Sequence, residues 1–201
     1  MSPPRRRVTA NAVKRSLLVF SEGEATEEGY LLHYWRLYRR AVTVEIDGFH
    51  GTPLALVQRA VKAKRQNERA APRRGRAHDE VWCVFDVDDH PRLAEGLALA
   101  REHGIHLAIS NPCIELWFLL HFEDRTAYIE RREAQSLAKE RLGCGKRLDE
   151  AALAALQEGF EAARERAQRL DVKHTGDGSG AHANPSSGAW RLVDSIANSQ
   201  P

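Results

Sequence analysis

Three acidic residues carry the first indication of chemistry in this chain. Glu22 follows the apolar run Ser16 to Phe20, and Asp86 and Asp88 follow another, Glu80 to Phe85. Carboxylates two apart, as in Asp86-Val87-Asp88, share one face of an extended segment while the residue between them points away. Clustered carboxylates repel one another and need a cation to be tolerable near neutral pH. Oxygen donors select a hard ion, Mg²⁺ or Mn²⁺. Such an ion can polarise a phosphoryl oxygen, activate water and stabilise the leaving oxygen of a phosphodiester. The plain alternative is a set of solvated turn residues, and Glu27 and Glu28 suit a helix start for dipole reasons alone.

Periodicity shows which elements must bring these residues together. Ser16 to Phe20 reads as a buried strand, and Thr26 to Arg40 as a helix with Tyr30, Tyr34 and Tyr38 on one stripe. Val42 to Ile46 alternates as a second strand. Thr52-Pro53 opens a helix, with a capping hydroxyl and then a proline in the first turn. That helix becomes basic, and an Arg-rich loop follows from Ala71 to His78. Glu80 to Phe85 is a third strand, Pro91 to His103 a helix ended by Gly104, and His106 to Ile109 a fourth strand. Asn111-Pro112 then starts an apolar helix, Cys113 to His121, with Asn111 as its cap.

Alternating strands and helices are the pattern of parallel βαβ units, in which helices cover both faces of the sheet. The carboxyl ends of parallel strands share one edge, and ligands bind in the crevice there. Glu22, Asp86, Asp88 and Asn111 each fall just past a strand, so they are expected to converge. The expected fold class is therefore α/β, a Rossmann-like domain with a mainly parallel sheet of about four strands.

The character changes after Phe122. Glu130 to Leu142 and Asp149 to Leu170 read as helices. Leu153, Leu156, Phe160, Ala163, Ala167 and Leu170 form a narrow seam of the kind that packs on another helix. The 149–170 helix is thus a route to a homo-oligomer. A Gly/Ser-rich loop from His174 to Ala183 leads to a short last helix with Trp190, Leu192 and Val193. The expected organisation is a basic flexible N-terminus (1–15), an α/β core (16–122) and a helical extension (123–201).

The chain has 201 residues, 42% hydrophobic and 29% charged, the composition of a soluble protein with a real core. No apolar run is long enough to cross a bilayer, so no membrane partner is expected. Cys83, Cys113 and Cys144 form no close pair, which suits a reducing cytoplasm and argues against structural zinc. Net charge is only +2, but the stretch from Arg59 to Arg76 contains a single acid, Glu68. Such clusters attract polyanions, and Arg59, Lys62 and Arg65 are candidate phosphate contacts. His50, in the loop after the second strand, either orients a substrate, acts as an acid or fills a turn, and His90 after the acidic turn stands in the same position. Glu115, one turn into the apolar helix, needs an ion or a basic partner if it is buried. Tyr34, Trp35 and Tyr38 are assigned to packing.

The stretches LLVFSEGEATEEGYL, VWCVFDVDDH and AISNPCIELWFLLHF, with the closing NPSSGAWRLVD, closely resemble the RloB-like family. That family is linked to the topoisomerase–primase (Toprim) catalytic fold and, by gene context, to bacterial abortive infection. Toprim-type enzymes place a glutamate after the first strand and a DxD after a later one, both binding divalent metal. The resemblance implies that Glu22 matches that glutamate and that Asp86 and Asp88 match the DxD. Glu24 and Glu27 match the acidic continuation seen in the family and, more loosely, in OLD-type nucleases. The NPCIELW segment adds Asn111 and Glu115 as supporting residues. The resemblance thus implies a Toprim-type nuclease of phage defence, with Glu22, Glu24, Asp86 and Asp88 on Mg²⁺ or Mn²⁺ and DNA or RNA as partner. Two other readings stay open. FDVDDH resembles the DxD of HAD-type phosphatases, although EGEATE would then go unused. A non-catalytic Toprim-like module would instead associate with an ATPase encoded alongside.

Overall fold

The computed structural model describes residues 14–23, 25–74, 77–87, 90–145 and 147–198. Its sheet has strand order β2-β1-β3-β4-β5. The first four strands, β1 (Arg15–Ser21), β2 (Val42–Asp47), β3 (Glu80–Asp86) and β4 (His106–Asn111), are parallel; β5 (Ser186–Ser187) is antiparallel to β4. This is the expected Rossmann-like α/β architecture with C-terminal helices.

Side chains alternate across the pleat and divide the core in two. Leu17, Val19, Trp82, Val84 and Ala108 face one layer, built from α1 (Thr26–Tyr38), α4 (Ile114–Leu120) and the helices after it. Leu18, Phe20, Val81, Cys83, Phe85 and Ile109 face the other, built from α2 (Pro53–Arg74) and α3 (Leu93–His103). Both faces are dry, which is why the strands read as continuous apolar runs rather than as an alternation. Trp117 is fully buried on α4, and its indole N–H donates to the Tyr30 hydroxyl at 2.8 Å. That bond locks α4 to α1, the two helices whose first turns carry Glu115 and Glu27.

Several boundaries differ from the expectation. Helix α2 continues to Arg74, because the Ala-, Arg- and Gln-rich stretch past Lys64 has high helix propensity. The expected 149–170 helix is two, α6 (Glu150–Glu158) and α7 (Phe160–Gly176), with α5 (Arg131–Leu142) before them. They meet at Gly159, where a β-carbon would stand 2.8 Å from the His121 carbonyl oxygen, so the close approach requires glycine. Asp149 caps α6 by accepting from the Ala152 N–H at 2.8 Å.

The seam residues Leu156, Phe160, Ala163, Ala167 and Leu170 are buried in the same cluster as Trp117. The seam thus packs within the chain, against α4 among others. Strand β5 is too short for any periodicity to announce it. Asn184 ties the end of the chain back, accepting from the Ile129 N–H at 3.0 Å and donating to its carbonyl at 2.9 Å. Helix α8 (Ala189–Ala197) buries Leu192, Val193 and Ile196 in the same core. No helix among the described residues is long and apolar enough to cross a membrane.

Candidate active site at the sheet edge

The chain runs from β1 outward to β2, then returns to place β3 on the other side of β1. The carboxyl ends of β1 and β3 therefore flank the topological switch point, where open α/β sheets hold their ligands. Glu22 lies just past β1, and its N–H donates to the Val84 carbonyl at 3.0 Å, prolonging the pairing with β3. Its carboxylate then turns across the strand end, and Oε2 accepts from the Asp86 N–H at 3.2 Å. Two acids sixty-four residues apart thus meet at one point.

Asp86 closes β3 with its side chain only 14% exposed. Its Oδ2 accepts from Arg131 Nη2 at 2.9 Å, and the same nitrogen donates to the Pro112 carbonyl at 3.3 Å. Burial drives the Asp86 pKa up. Arg131 pulls it down only in part, and the charges of Glu27, Glu115 and Glu22 push it up again, leaving it at about 8. Burial, more than its acidic neighbours, is what Arg131 fails to offset.

Glu27, in the first turn of α1, is buried. Burial raises its pKa, a hydrogen bond from its own backbone opposes this, and the charges of Glu115, Glu22 and Glu28 add to the rise. A β-carbon on Gly23 would sit inside the Glu27 carboxylate, so the EGE sequence is shaped to let that carboxylate fold back. His50 Nδ1 donates to the Ser21 carbonyl at 3.1 Å, and its Nε2 stands 3.9 Å from Glu28. Glu115, in the first turn of α4, is half-buried and lines a cavity of about 330 Å³ together with Thr26.

Glu22, Asp86, Glu27, Glu115 and His50 are therefore gathered at one edge. Asp88 and Glu24 lie outside the described residues. Asn111 needs correction as a helix cap. It is the last residue of β4, joined to Pro112 by a cis peptide bond, and its amide donates to the His182 carbonyl at 2.7 Å. Cys113, with no side-chain capping bond, precedes α4 instead.

The basic residues of α2 are spread along the flank of the sheet. A helix that follows a parallel strand runs back towards the opposite edge, at about 1.5 Å per residue. Arg59 stays near the carboxyl edge, but beyond β2, where it pairs with Asp47 at 3.4 Å and covers the Phe49 ring. Lys62 lines a small cleft on that same flank with Glu45 and Asp47. Arg65 reaches the far edge, 3.4 Å from His103 Nε2.

Sequence reasoning missed one residue and undervalued another. Arg131 sits forty-five residues from Asp86, in the run Glu130-Arg131-Arg132-Glu133, where nothing separates it from a solvated helix start. Only the need of a buried carboxylate for a cation could have prompted a search for it. His90 Nε2 lies 3.3 Å from Glu22 Oε1, is shielded from solvent and finds no hydrogen-bond partner among the described residues.

These observations bear on a divalent ion. The donors are hard oxygens, a cation would favour the ionised form of the buried Asp86, and His90 Nε2 stands 3.3 Å from Glu22 at the same point. Among the described residues, no three His, Cys, Asp or Glu side chains stand assembled as a complete ligand set. Glu22 and Asp86 supply hard oxygen donors at this edge, and any ion there would need further ligands from other groups.

Comparison of the chain with curated proteins and with solved structures found no match. The family model described as RloB-like protein matches residues 17–196 and so takes in every element from β1 to α8. The chain belongs to the RloB-like family.

Proposed function

We propose that the chain is a divalent-metal-dependent nuclease that hydrolyses phosphodiester bonds of DNA or RNA in anti-phage defence of the abortive-infection type. The observation that carries this reading is the meeting of Glu22 and Asp86 at the switch point, inside a cluster of carboxylates that needs a cation. Glu22 and Asp86 would hold Mg²⁺ or Mn²⁺, with Asp88 and Glu24 as further candidates by resemblance. When bound, such an ion supplies a polarised phosphoryl oxygen and an activated water.

The chain's own groups have distinct tasks in this reading. Arg131, partly exposed beside Asp86, offers a planar fork for the non-bridging oxygens of the phosphate. His90, next to Glu22, is placed to hold or move a proton at its Nε2. Glu27 and Gly23 fix the shape of the turn that presents Glu22. The backbone bond from Glu22 to Val84 anchors that turn to β3.

One observation favours a second reading. Asp86 is engaged by Arg131, as in a structural ion pair, which suits a non-catalytic module that recruits an ATPase encoded alongside. The two readings separate in one assay. Plasmid, single-stranded DNA and tRNA are incubated with wild type, Glu22→Gln and Asp86→Asn, with and without Mg²⁺ or Mn²⁺. The nuclease reading expects metal-dependent cleavage, reduced by at least about a hundredfold in either variant. Equal cleavage by all three proteins, or none by wild type, rejects it.

A further inference from the structure

The cavity beside Glu115 takes no part in the chemistry above, yet Glu115 belongs to both it and the acidic edge. It lies between α4, α5 and the segment after α5, and its volume of about 330 Å³ is within the range of small-molecule sites, roughly 300–1,000 Å³. Thr26 and Glu115, at the starts of α1 and α4, line its inner end, and Glu115 is one of the three carboxylates that act on Asp86. Phe118, Leu142 and Leu148 give it apolar walls. Gln135 and Lys139 line it from the exposed face of α5, and neither side chain has a hydrogen-bond or ion-pair partner among the described residues.

An alkyl chain in this space would leave Glu115 and Gln135 without partners. A lone anion would be repelled by Glu115 and by the acidic site behind it. A nitrogen heterocycle meets both demands, with ring faces against the apolar walls and edge N–H groups offered to Glu115. We propose that the cavity is a nucleobase pocket that takes one unstacked base beside a phosphodiester held through a cation at Glu22 and Asp86, which makes the substrate single-stranded nucleic acid rather than duplex. A base within a duplex is paired and stacked, and reaches a pocket only if it is extruded. The proposal rests on the phosphodiester reading, so its test reads occupancy of the pocket without cleavage.

Cys144 lines the cavity and is half-buried, whereas Cys83 and Cys113 are buried and their thiols are held protonated by that burial. The full chain, with Ca²⁺ in place of Mg²⁺ or Mn²⁺ to allow binding without cleavage, is alkylated with N-ethylmaleimide, and the rate at Cys144 is followed by peptide mass spectrometry. The probes are a short single-stranded oligonucleotide, an abasic strand of the same length and a duplex of the same sequence, with binding of each followed by fluorescence anisotropy. The single strand is expected to bind about tenfold tighter than the abasic strand, the worth of one stacked base, and to slow Cys144 alkylation by a similar factor. The abasic strand and the duplex leave the rate unchanged, and Glu115→Gln narrows the difference in affinity between the single strand and the abasic strand. Single strands that bind while Cys144 stays reactive, or a duplex that protects equally, overturn the pocket and leave the cleavage reading standing. Absence of binding by every probe overturns both.

Discussion

The two edges of the sheet solve the same electrostatic problem in opposite ways. At the amino edge Glu80 is surrounded by partners. Arg15 pairs with it, Trp82 Nε1 donates to it at 2.7 Å and Ser195 Oγ at 2.5 Å. Burial pushes its pKa up, but the bonds from Ser195 and Trp82 and the charge of Arg15 outweigh that, and the group ends below its ordinary value. At the carboxyl edge burial pushes the Asp86 pKa up, Arg131 offsets it only in part and Glu27, Glu115 and Glu22 add to the rise, so it ends far above its ordinary value. One edge satisfies its buried carboxylate within the chain. The other holds a buried carboxyl with a strongly raised pKa, a feature associated with functional sites.

Exchanging the two acids for their amides separates the edges most sharply. Asp86→Asn is expected to lower cleavage by at least about a hundredfold while making the metal-free protein no less stable, because it removes the cost of burying an ionisable carboxyl. Glu80→Gln is expected to leave cleavage within about twofold and to lower stability by about 2 kcal/mol, because it strips a partly buried pair of its charge. Cleavage assays and urea denaturation in EDTA check both. Loss of stability in Asp86→Asn and not in Glu80→Gln would reverse the assignment of the two edges.

Their pH dependence has opposite signs. The folded protein keeps the Asp86 proton up to about 8, whereas the ordinary value is 3.8, so the folded state binds more protons than the unfolded chain across that interval. Stability of the metal-free protein therefore declines as pH rises from 3.8 to about 8, by up to a few kcal/mol at about 1.4 kcal/mol per unit. Glu80 contributes stability above its ordinary value of 4.5 and loses it as pH falls through its lowered folded value. Urea midpoints across pH should show the neutral-side decline flattened in Asp86→Asn and the acid-side decline flattened in Glu80→Gln.

A smaller effect is expected from Gly23→Ala, which forces the Glu27 carboxylate away from the turn behind Glu22. Cleavage should fall about tenfold through misplacement of Glu22, with a stability loss of about 1–2 kcal/mol. Unchanged kinetics would detach Glu27 from the site.

Much of this geometry is legible in the sequence because it follows from chain direction. Strand–helix alternation sends Glu22 and Asp86 to the same edge with no knowledge of packing, and the observed order β2-β1-β3 makes them neighbours. The same rule, carried one step further, would have sent Arg65 to the far edge, since α2 must run back along the sheet. What stayed hidden depends on contacts between residues far apart in sequence. Arg131 reaches Asp86 through the packing of α5 on α4, and Ser186–Ser187 is too short to show a period. The seam on α6 and α7 is plain in sequence, but whether it meets another copy or α4 of its own chain is decided only by the tertiary fold.

That the carboxyl edge is a cation site assembled from distant strand ends is best checked by calorimetric titration of Mn²⁺ into wild type, Glu22→Gln, Asp86→Asn and Glu80→Gln. Saturable binding is expected for wild type and Glu80→Gln, weakened at least about tenfold in both of the other variants. Equal Mn²⁺ affinity in all four proteins, or no binding by wild type, would refute the cation site.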